Sequence, residues 1–252
     1  MPKLREYRIN QFIAQATGCS RRDAEKYIAD GLVKVDGKNV SELSLKVTSR
    51  NKITLKNQPL KLSNYSYYIM NKPAGFITTR EDEKARKTIY DILPEKLHNL
   101  KPVGRLDKDS SGLLVLTNDG ELIHNLTHPK FHIPKKYKAN IRGKFSQSDS
   151  DKFRKGIDIG EKLPACAEVE SIIKTKLGYT EVVLILHQGY NRQIRRMFES
   201  VDCEVINLKR YSIGTLTLKG LKRAEFSQVK SNELNNLQKY INKKIKEADL
   251  ES

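Results

Sequence analysis

A loop at positions 104–112 places one aspartate, Asp107, between two cations, Arg105 and Lys108. Glycines at both of its ends allow sharp changes of direction, and the loop leads into an apolar run that predicts a buried strand. The two cations would favour the ionised carboxylate, and a strand edge would hold it rigidly, as catalysis requires. The same residues are typical of a turn in which Asp107 and Asp109 cap a hairpin. From these residues alone both interpretations stay open.

A second segment, Lys135-Lys136-Tyr137, offers a flat aromatic ring with two cations beside it. An extruded nucleic-acid base can stack on such a ring, while the lysines bind the neighbouring phosphates. The alternative is the basic start of a strand with an exposed tyrosine. The motif is short, so it does not decide between the two.

A third segment, residues 188–198, contains the arginines Arg192, Arg195 and Arg196. Their spacings of three and four would place them on one side of a helix. Such a helix suits contact with RNA, with or without a catalytic role, and it is equally compatible with a basic face in water.

A fourth segment, Ser20-Arg21-Arg22-Asp23, predicts the start of a helix through a capping box, in which Ser20 and Asp23 satisfy each other's free amide groups. Arg21 and Arg22 lie where the helix amides are already electropositive, an arrangement that suits phosphate, and Lys26 follows one turn later. A surface helix whose cations face only water is the alternative.

The composition indicates a polyanionic partner. The 252 residues contain 47 Lys and Arg against 30 Asp and Glu, a formal net charge of +17. The excess is spread along the chain, so the folded surface itself should be positive and attract phosphates. A generally basic protein and attraction to an acidic membrane surface are the alternatives, and nucleic acid is favoured over both.

The chain is expected to work in the cytoplasm without a metal or cofactor. Its three cysteines, Cys19, Cys166 and Cys203, form no Cys-x-x-Cys pair and are odd in number, which argues against disulfides and a zinc site. The amino terminus carries no apolar run typical of a signal peptide, and no stretch is long enough for a membrane span. No phosphate-binding loop or dinucleotide fingerprint is present.

The pattern of elements predicts an α+β fold with two domains. Helical periodicity at residues 8–30 and a small hairpin system indicate a first domain at 1–62, followed by a polar linker at 61–66. A second domain at 67–247 contains strand-like runs that cluster rather than alternate with helices, which favours a mostly antiparallel or mixed sheet flanked by helices. The runs with strand character are 67–70, 76–79, 113–117, 137–141, 167–173 and 180–186, and a last helix should begin at Ser231.

Two of these regions resemble known families. Residues 8–55 resemble the alpha-L, or S-four-like, RNA-binding module in helix order, in Ser-Arg-Arg and in the Val-x-Val-x-Gly-Lys hairpin. The stretch from Gly104 to Gly120 is similar to the Gly-Arg-Leu-Asp signature of pseudouridine synthases and its Gly-Leu-Leu and Thr-x-Asp-Gly continuation. The order of the two modules is that of the RsuA/RluB branch of these synthases, which modify ribosomal RNA.

The resemblance implies roles for individual residues. Asp107 takes the place of the family's essential catalytic aspartate, Tyr137 that of the tyrosine that packs on the target uracil, and Arg195 that of the arginine that pairs with the aspartate. The residues expected to contact RNA are Arg21, Arg22, Lys26, Arg105, Lys135, Lys136, Arg192 and Arg196.

The implied activity is the isomerisation of one uridine to pseudouridine in ribosomal RNA, with the large subunit favoured over the small one. The substrate would be a stem-loop with a flipped uridine, the protein would act as a monomer, and no cofactor would take part. Asp107 would attack the sugar or the base, or remove a ribose proton. The alternatives are a non-catalytic RNA-binding factor for ribosome assembly and a basic DNA-architectural protein, whose motifs are absent.

Overall fold

A computed structural model describes residues 4–80, 82–175, 178–218 and 220–250. The chain divides into two compact units, Met1–Ser66 and Tyr67–Ser252. None of the helices in the described ranges is both long and apolar enough to cross a membrane.

The first unit is built on two short helices, α1 (Ile9–Thr17) and α2 (Arg21–Ala29). Gly18 ends α1 in the left-handed conformation, with φ of 80°, which glycine adopts without strain. The predicted capping box at the start of α2 is confirmed, because the Ser20 hydroxyl accepts from the Asp23 amide and the Asp23 carboxylate accepts from the Ser20 amide. The apolar faces of both helices pack on the small strands around Ile13, Ile28 and Ile53.

Short antiparallel strands complete this unit. One hairpin turns at Asp36-Gly37, where both residues have positive φ, 51° and 83°, as a tight two-residue turn requires. Two sheets result, a pair of β1 with β4 and a four-stranded sheet in the order β3-β2-β5-β6. The strands are β1 (Tyr7–Arg8), β2 (Val33–Val35), β3 (Lys38–Asn39), β4 (Lys46–Val47), β5 (Ile53–Leu55) and β6 (Gln58–Pro59).

A nine-stranded mixed sheet forms the centre of the second unit. Its main order is β11-β12-β10-β13-β9-β7-β15, with β14 on β13 and β8 on β9. Among the described strand pairs, only β9 with β13 is parallel. The strands are β7 (Tyr67–Lys72), β8 (Lys101–Pro102), β9 (Ser110–Thr117), β10 (Lys135–Arg142), β11 (Glu168–Lys174), β12 (Thr180–Leu186), β13 (Glu204–Ile213), β14 (Leu216–Thr217) and β15 (Phe226–Gln228).

Helices cover this sheet in two places. Side chains of α3 (Gly120–Thr127) and α6 (Ser231–Leu250) pack with Leu113 and Val115 of β9. Alternate residues of a strand point to opposite faces, so Leu114 and Leu116 belong to a different core, which includes the short 3₁₀ helices at 89–91 and 95–97. A third core joins α4 (Gln147–Lys155) and α5 (Gln193–Glu199) to β10 and β12. A further 3₁₀ turn spans 129–131.

The predicted fold class is confirmed: the chain is α+β with a mostly antiparallel, mixed sheet flanked by helices. The predicted start of the last helix at Ser231 is confirmed as well. The strand predicted at 76–79 is wrong, because only Ile77 forms an isolated bridge, to Thr88. This segment instead serves to hold the loop that precedes β9.

Candidate active site

A cavity of ≈ 440 Å³ opens where the loop before β9 meets β10, β13 and the start of α5. Its size falls within the range of small-molecule sites, roughly 300–1,000 Å³. Five residues that the sequence analysis singled out line this cavity: Asp107, Tyr137, Arg105, Lys135 and Arg192. Arg210, which sequence reasoning missed, lines it as well.

Asp107 presents a free carboxylate to this cavity. The residue is half-buried, and its side-chain oxygens make no hydrogen bond or ion pair with any residue that the structure describes. Its main chain, by contrast, is fixed, since its carbonyl accepts from the Ser110 amide at 3.1 Å to close a turn. The geometry therefore combines a rigid backbone with two oxygens that remain available to a substrate.

Four consecutive carbonyl groups of the loop, those of residues 106–109, each accept a hydrogen bond from outside it. Buried main-chain carbonyls need such partners, and here all the donors come from segments that are distant in sequence. In loop order they are Thr78 Oγ1 at 2.8 Å, Lys72 Nζ at 3.0 Å, Gly75 N at 2.7 Å and Arg195 Nη2 at 3.2 Å. This network sets the direction in which the Asp107 side chain leaves the backbone.

Lys72 is the centre of this network, although no local sequence pattern singled it out. Its side chain is fully buried at the end of β7, and its ammonium also donates to the carbonyls of Pro73 and Ser110, at 3.2 and 2.8 Å. Burial lowers the pKa of Lys72 to about 8, partly opposed by the negative charges of Asp107 and Asp109. The strand predicted at 67–70 is longer in the structure, where β7 continues through Lys72.

Arg195 supports the loop in a different way from the predicted one. It donates from Nη1 to the Val205 carbonyl at 2.7 Å and from Nη2 to the Asp109 carbonyl at 3.2 Å. Within the described part of the chain, it forms no ion pair with Asp107, because these two carbonyls hold the guanidinium behind the loop. Burial lowers the pKa of Arg195, and Asp109 and Asp107 raise it, so the Asp107 charge is still felt.

The other two arginines of this segment separate from each other. Helix α5 begins only at Gln193, and Arg192 precedes it in the left-handed conformation, with φ of 47°, at the exposed edge of the cavity. Arg196 does not line the cavity. It donates to the carbonyls of Asn191 and Ile159 and pairs with Glu161. All three guanidinium nitrogens are thus used within the protein, and an RNA contact at Arg196 stays a prediction.

The two lysines before Tyr137 also separate, since neighbouring residues of a strand face opposite ways. Lys135 and Tyr137 line the cavity, whereas Lys136 pairs with Glu170 of β11 and lies outside it. Lys135 therefore lies beside the expected place of the target base and Lys136 lies outside the cavity, while an RNA contact at either lysine stays a prediction. Burial, followed by the charge of Arg210, lowers the pKa of Lys135 to about 8.

In the first unit, the start of α2 keeps its cations free for a ligand. Arg21, Arg22 and Lys26 are all exposed, and none of them forms an ion pair with the residues that the structure describes. The capping box beside them leaves the first amides of the helix ordered and the arginines unrestrained. The surface that they form suits phosphate groups.

A metal site does not emerge from the geometry. Within the described ranges, no three His, Cys, Asp or Glu side chains come close enough to hold an ion. His124 and His128 do contact each other, with ring centroids 4.8 Å apart, and both rings also contact Phe131.

Comparisons with known proteins identify the family of the chain. Residues 66–200 match the family model described as RNA pseudouridylate synthase, and residues 8–53 match that of the S4 domain. Ribosomal large subunit pseudouridine synthase B of Bacillus subtilis is 40% identical over 233 residues, which are 91% of this chain and 95% of the relative. An RNA pseudouridine synthase of Aquifex aeolicus is 33% identical over 94% of this chain and 95% of its own.

One solved structure is similar to this chain in its three-dimensional fold. The crystal structure of a pseudouridylate synthase superposes with a TM-score of 0.66 at 31% identity and covers 91% of this chain and 99% of its own. The family model spans more than half of the chain, and the sequence relatives cover nearly all of it. The chain therefore belongs to the RNA pseudouridylate synthase family and carries an S4 domain ahead of its synthase domain.

Proposed function

We propose that this protein isomerises one uridine of large-subunit ribosomal RNA to pseudouridine, with Asp107 as the catalytic carboxylate. The observation that carries the proposal is the free Asp107 side chain, fixed through its backbone, in a cavity that also contains Tyr137 and four cations. The choice of the large subunit is supported by the name of the Bacillus subtilis relative.

The reaction needs a fixed carboxylate but no external reagent. The bond from C1′ to N1 of uracil breaks, the base turns, a bond from C1′ to C5 forms, C5 releases its proton and N1 gains one. A carboxylate has three ways to start this exchange: attack on the sugar, attack on the base, or removal of a ribose proton. Each of them requires an ionised oxygen held in place, and the bound carbonyls of residues 106–109 supply the rigidity.

Access to the uridine requires that the base leave the helical stack. In this proposal, a stem-loop delivers the flipped nucleotide, and the ring of Tyr137 packs against the uracil. Tyr137 is partly buried between two hydrophobic cores, so its ring is held in one orientation and loses little freedom when a base stacks on it. Arg105 and Arg192, which are exposed at the cavity edge, would bind the neighbouring phosphates.

Arg195 acts in this proposal as a positioning residue. Its hydrogen bonds to the carbonyls of Asp109 and Val205 tie the loop to α5 and β13. Arg21, Arg22 and Lys26 of the S4 domain would bind RNA away from the target base. Because all the named groups of the cavity come from one chain, we further propose that the protein acts as a monomer. Because its substrate is ribosomal RNA, we also propose that it acts in the cytoplasm.

The test uses ribosomal RNA labelled with tritium at C5 of uridine, since pseudouridine formation releases this atom to water. Asp107→Asn should abolish tritium release, because the amide carries no negative charge, while RNA affinity stays within a few-fold of the wild type. Asp151→Asn is the matched control: it makes the same change on a partly exposed side chain of α4 that pairs with Arg154 outside the cavity, and it should keep the turnover.

The outcomes separate the proposal from the alternatives. Turnover by Asp107→Asn equal to that of the wild type would remove the catalytic assignment. A wild-type protein that binds ribosomal RNA without releasing tritium would instead favour a non-catalytic assembly factor. Pseudouridine mapping of ribosomal RNA from cells with and without the gene identifies the nucleotide and the subunit.

A further inference from the structure

Arg210 is a buried arginine at the floor of the cavity that the proposed mechanism does not use. It lies on β13, opposite Tyr137 in the register of β10, and only 3% of its surface is exposed. Its Nε donates to the Leu113 carbonyl at 2.8 Å. Its Nη2 is buried without any hydrogen-bond partner. A guanidinium has five N–H donors, so most of the donors of Arg210 remain unused.

The charge of Arg210 is also unbalanced. No carboxylate forms an ion pair with it among the residues that the structure describes. Two other cations, Lys72 and Lys135, interact with its charge, and the repulsion from Arg210 lowers the pKa of each. An unpaired buried cation is costly for a folded protein. Such an arrangement is typical of a site whose partner arrives with the ligand.

The depth of Arg210 indicates which part of the substrate it meets. Arg105 and Arg192 line the same cavity but are exposed, so they are available to the phosphates of an RNA strand that stays outside. A flipped base is the part that enters deepest. Uracil offers two carbonyl oxygens as acceptors, and a guanidinium has only donors to give. The donors of Arg210 and the acceptors of uracil are therefore matched at the floor of the cavity, where Arg210 is buried.

We propose that Arg210 donates a hydrogen bond to a carbonyl oxygen of the flipped uracil and so orients the base between Asp107 and Tyr137. This inference rests on the proposed function, and it adds a base-recognition residue to it. When the bond from C1′ to N1 breaks, the electron pair that N1 retains is shared with the carbonyl oxygens, and the contact becomes stronger. Arg210 then accelerates the chemical step as well as holding the base.

The experiment combines substitutions in the protein with substitutions in the base. The full-length wild type, Arg210→Gln and Arg210→Lys are compared in single-turnover reactions on an RNA stem-loop that carries uridine, 2-thiouridine or 4-thiouridine at the target position. Sulfur is a weak acceptor, so it removes the hydrogen bond at the chosen carbonyl while the ring stays intact. Uridine and pseudouridine nucleosides, and their thio analogues, are separated by chromatography after digestion.

We expect Arg210→Gln to slow the reaction of uridine by about 10- to 100-fold, the range for loss of a hydrogen bond to a charged group. One of the two thio substitutions should slow the wild type to a similar extent and should have no further effect in Arg210→Gln. Arg210→Lys keeps the charge and one donor, so its rate should lie between those of the other two proteins. The position of the effective sulfur identifies the carbonyl as O2 or O4.

Controls keep the result interpretable. Arg142→Gln makes the same change on the neighbouring strand β10, at an exposed ion pair with Glu204, and should leave the rate unchanged. Thermal unfolding shows whether a variant is folded. If Arg210→Gln does not fold, the comparison of Arg210→Lys with the wild type on the two thio substrates replaces it.

Two results would overturn the inference: a wild-type rate for Arg210→Gln, or thio effects of equal size in the wild type and the folded Arg210 variants. Either of these, with an active wild type on unmodified uridine, would leave the proposed function intact. An inactive wild type would overturn the proposed function itself.

Discussion

The loop that carries Asp107 and the helix start that carries Arg21 and Arg22 both present charged groups to RNA, but they are built in opposite ways. The loop depends on Thr78, Gly75, Lys72 and Arg195, which bind its successive carbonyls from distant positions in the sequence. The helix start depends on its own neighbours, since Ser20 and Asp23 cap each other three residues apart.

This difference follows from what each region has to do. A catalytic oxygen must be held to a fraction of an ångström, which requires several independent anchors. A phosphate contact gains from side chains that can adjust, because electrostatic attraction is not directional. We therefore expect substitutions that remove anchors of the Asp107 loop to affect stability and turnover together. Substitutions of the cations at the start of α2 should affect RNA affinity alone.

The largest effect is expected at Gly112, which pairs with Arg210 in the parallel ladder of β9 and β13. A Cβ atom on this residue would lie 2.2 Å from the Arg210 carbonyl oxygen, and its φ of 107° is one that only glycine adopts without strain. Gly112→Ala should therefore destabilise the synthase unit by about 4 kcal/mol or more. Thermal unfolding measures this loss, and Gly189→Ala, with open space around its Cβ position, is the control.

An unfolding midpoint of Gly112→Ala within a few degrees of the wild type would show that β9 and β13 can separate. The parallel pairing of these strands would then be looser than the close approach of Gly112 to Arg210 indicates.

The next effect is a pH dependence that originates at Lys72. Its pKa is lowered from 10.5 to about 8 in the folded protein. Below pH 8 both the folded and unfolded states are protonated, and the folded state bears the full penalty of the buried charge. Between about pH 8 and 10.5 the unfolded state binds more protons, so the free energy of unfolding gains about 3 kcal/mol as the pH rises.

Urea unfolding of the wild type and Lys72→Met at several pH values between 7 and 10 tests this expectation. Other groups that titrate in this range are common to both proteins and cancel in the difference. The wild-type value should rise relative to that of Lys72→Met as the pH increases. A constant difference would mean that the ammonium is not penalised by its burial.

The substitution Lys72→Met also tests, through turnover, whether Lys72 anchors the loop. Lys72→Met leaves the carbonyls of Pro73, Asp107 and Ser110 without their donor, so the loop should move and kcat should fall by about 10-fold, equal to roughly 1.4 kcal/mol. RNA affinity should not change. Lys138→Met, which removes a lysine that pairs with Glu181 outside the cavity, is the matched control. Equal values of kcat for the two variants would contradict the anchoring role.

The helix start depends on local contacts and the loop on distant ones, and this difference decides how well the sequence predicted each region. The capping box at Ser20 is a pattern of four adjacent residues, so sequence reasoning found it and the structure confirms it. Asp107 stood out because its own loop is distinctive. Lys72 and Arg210 did not, because their importance arises from contacts with residues 35 to 97 positions away, and no local pattern records such a contact.

Two differences between the sequence reasoning and the structure have a geometric cause. Lys136 and Arg196 were grouped with their neighbours because adjacent basic residues look alike in a sequence. Their side chains leave the backbone in other directions and meet Glu170 and Glu161 instead of the cavity. Residues 76–79 were predicted as a strand from their composition, but Thr78 is needed to hold the Leu106 carbonyl, and the segment forms a single bridge.

In the S4 domain, Arg21→Gln and Arg22→Gln should weaken RNA binding without altering the site. Each arginine that contacts a phosphate contributes about 0.7–0.9 to the slope of log affinity against log salt. The double variant should therefore lower that slope by about 1.5 if both arginines make phosphate contacts. Turnover at saturating RNA should equal that of the wild type. Arg50→Gln, an exposed change outside α2, is the control, and an unchanged slope in the double variant would exclude these phosphate contacts.

The smallest effect is expected at Ser20, and it tests whether the S4 helix is as self-contained as its capping box indicates. Ser20→Ala removes the acceptor for the Asp23 amide and should reduce the stability of the S4 unit by about 1 kcal/mol. Turnover at saturating RNA should not change, because the anchors of the loop described above are Lys72, Gly75, Thr78 and Arg195. Hydrogen exchange of the α2 amides measures the loss, and Ser20→Asp, which can accept the same hydrogen bond, should restore protection. Faster exchange in the loop at residues 104–112 would show that the two regions are not independent.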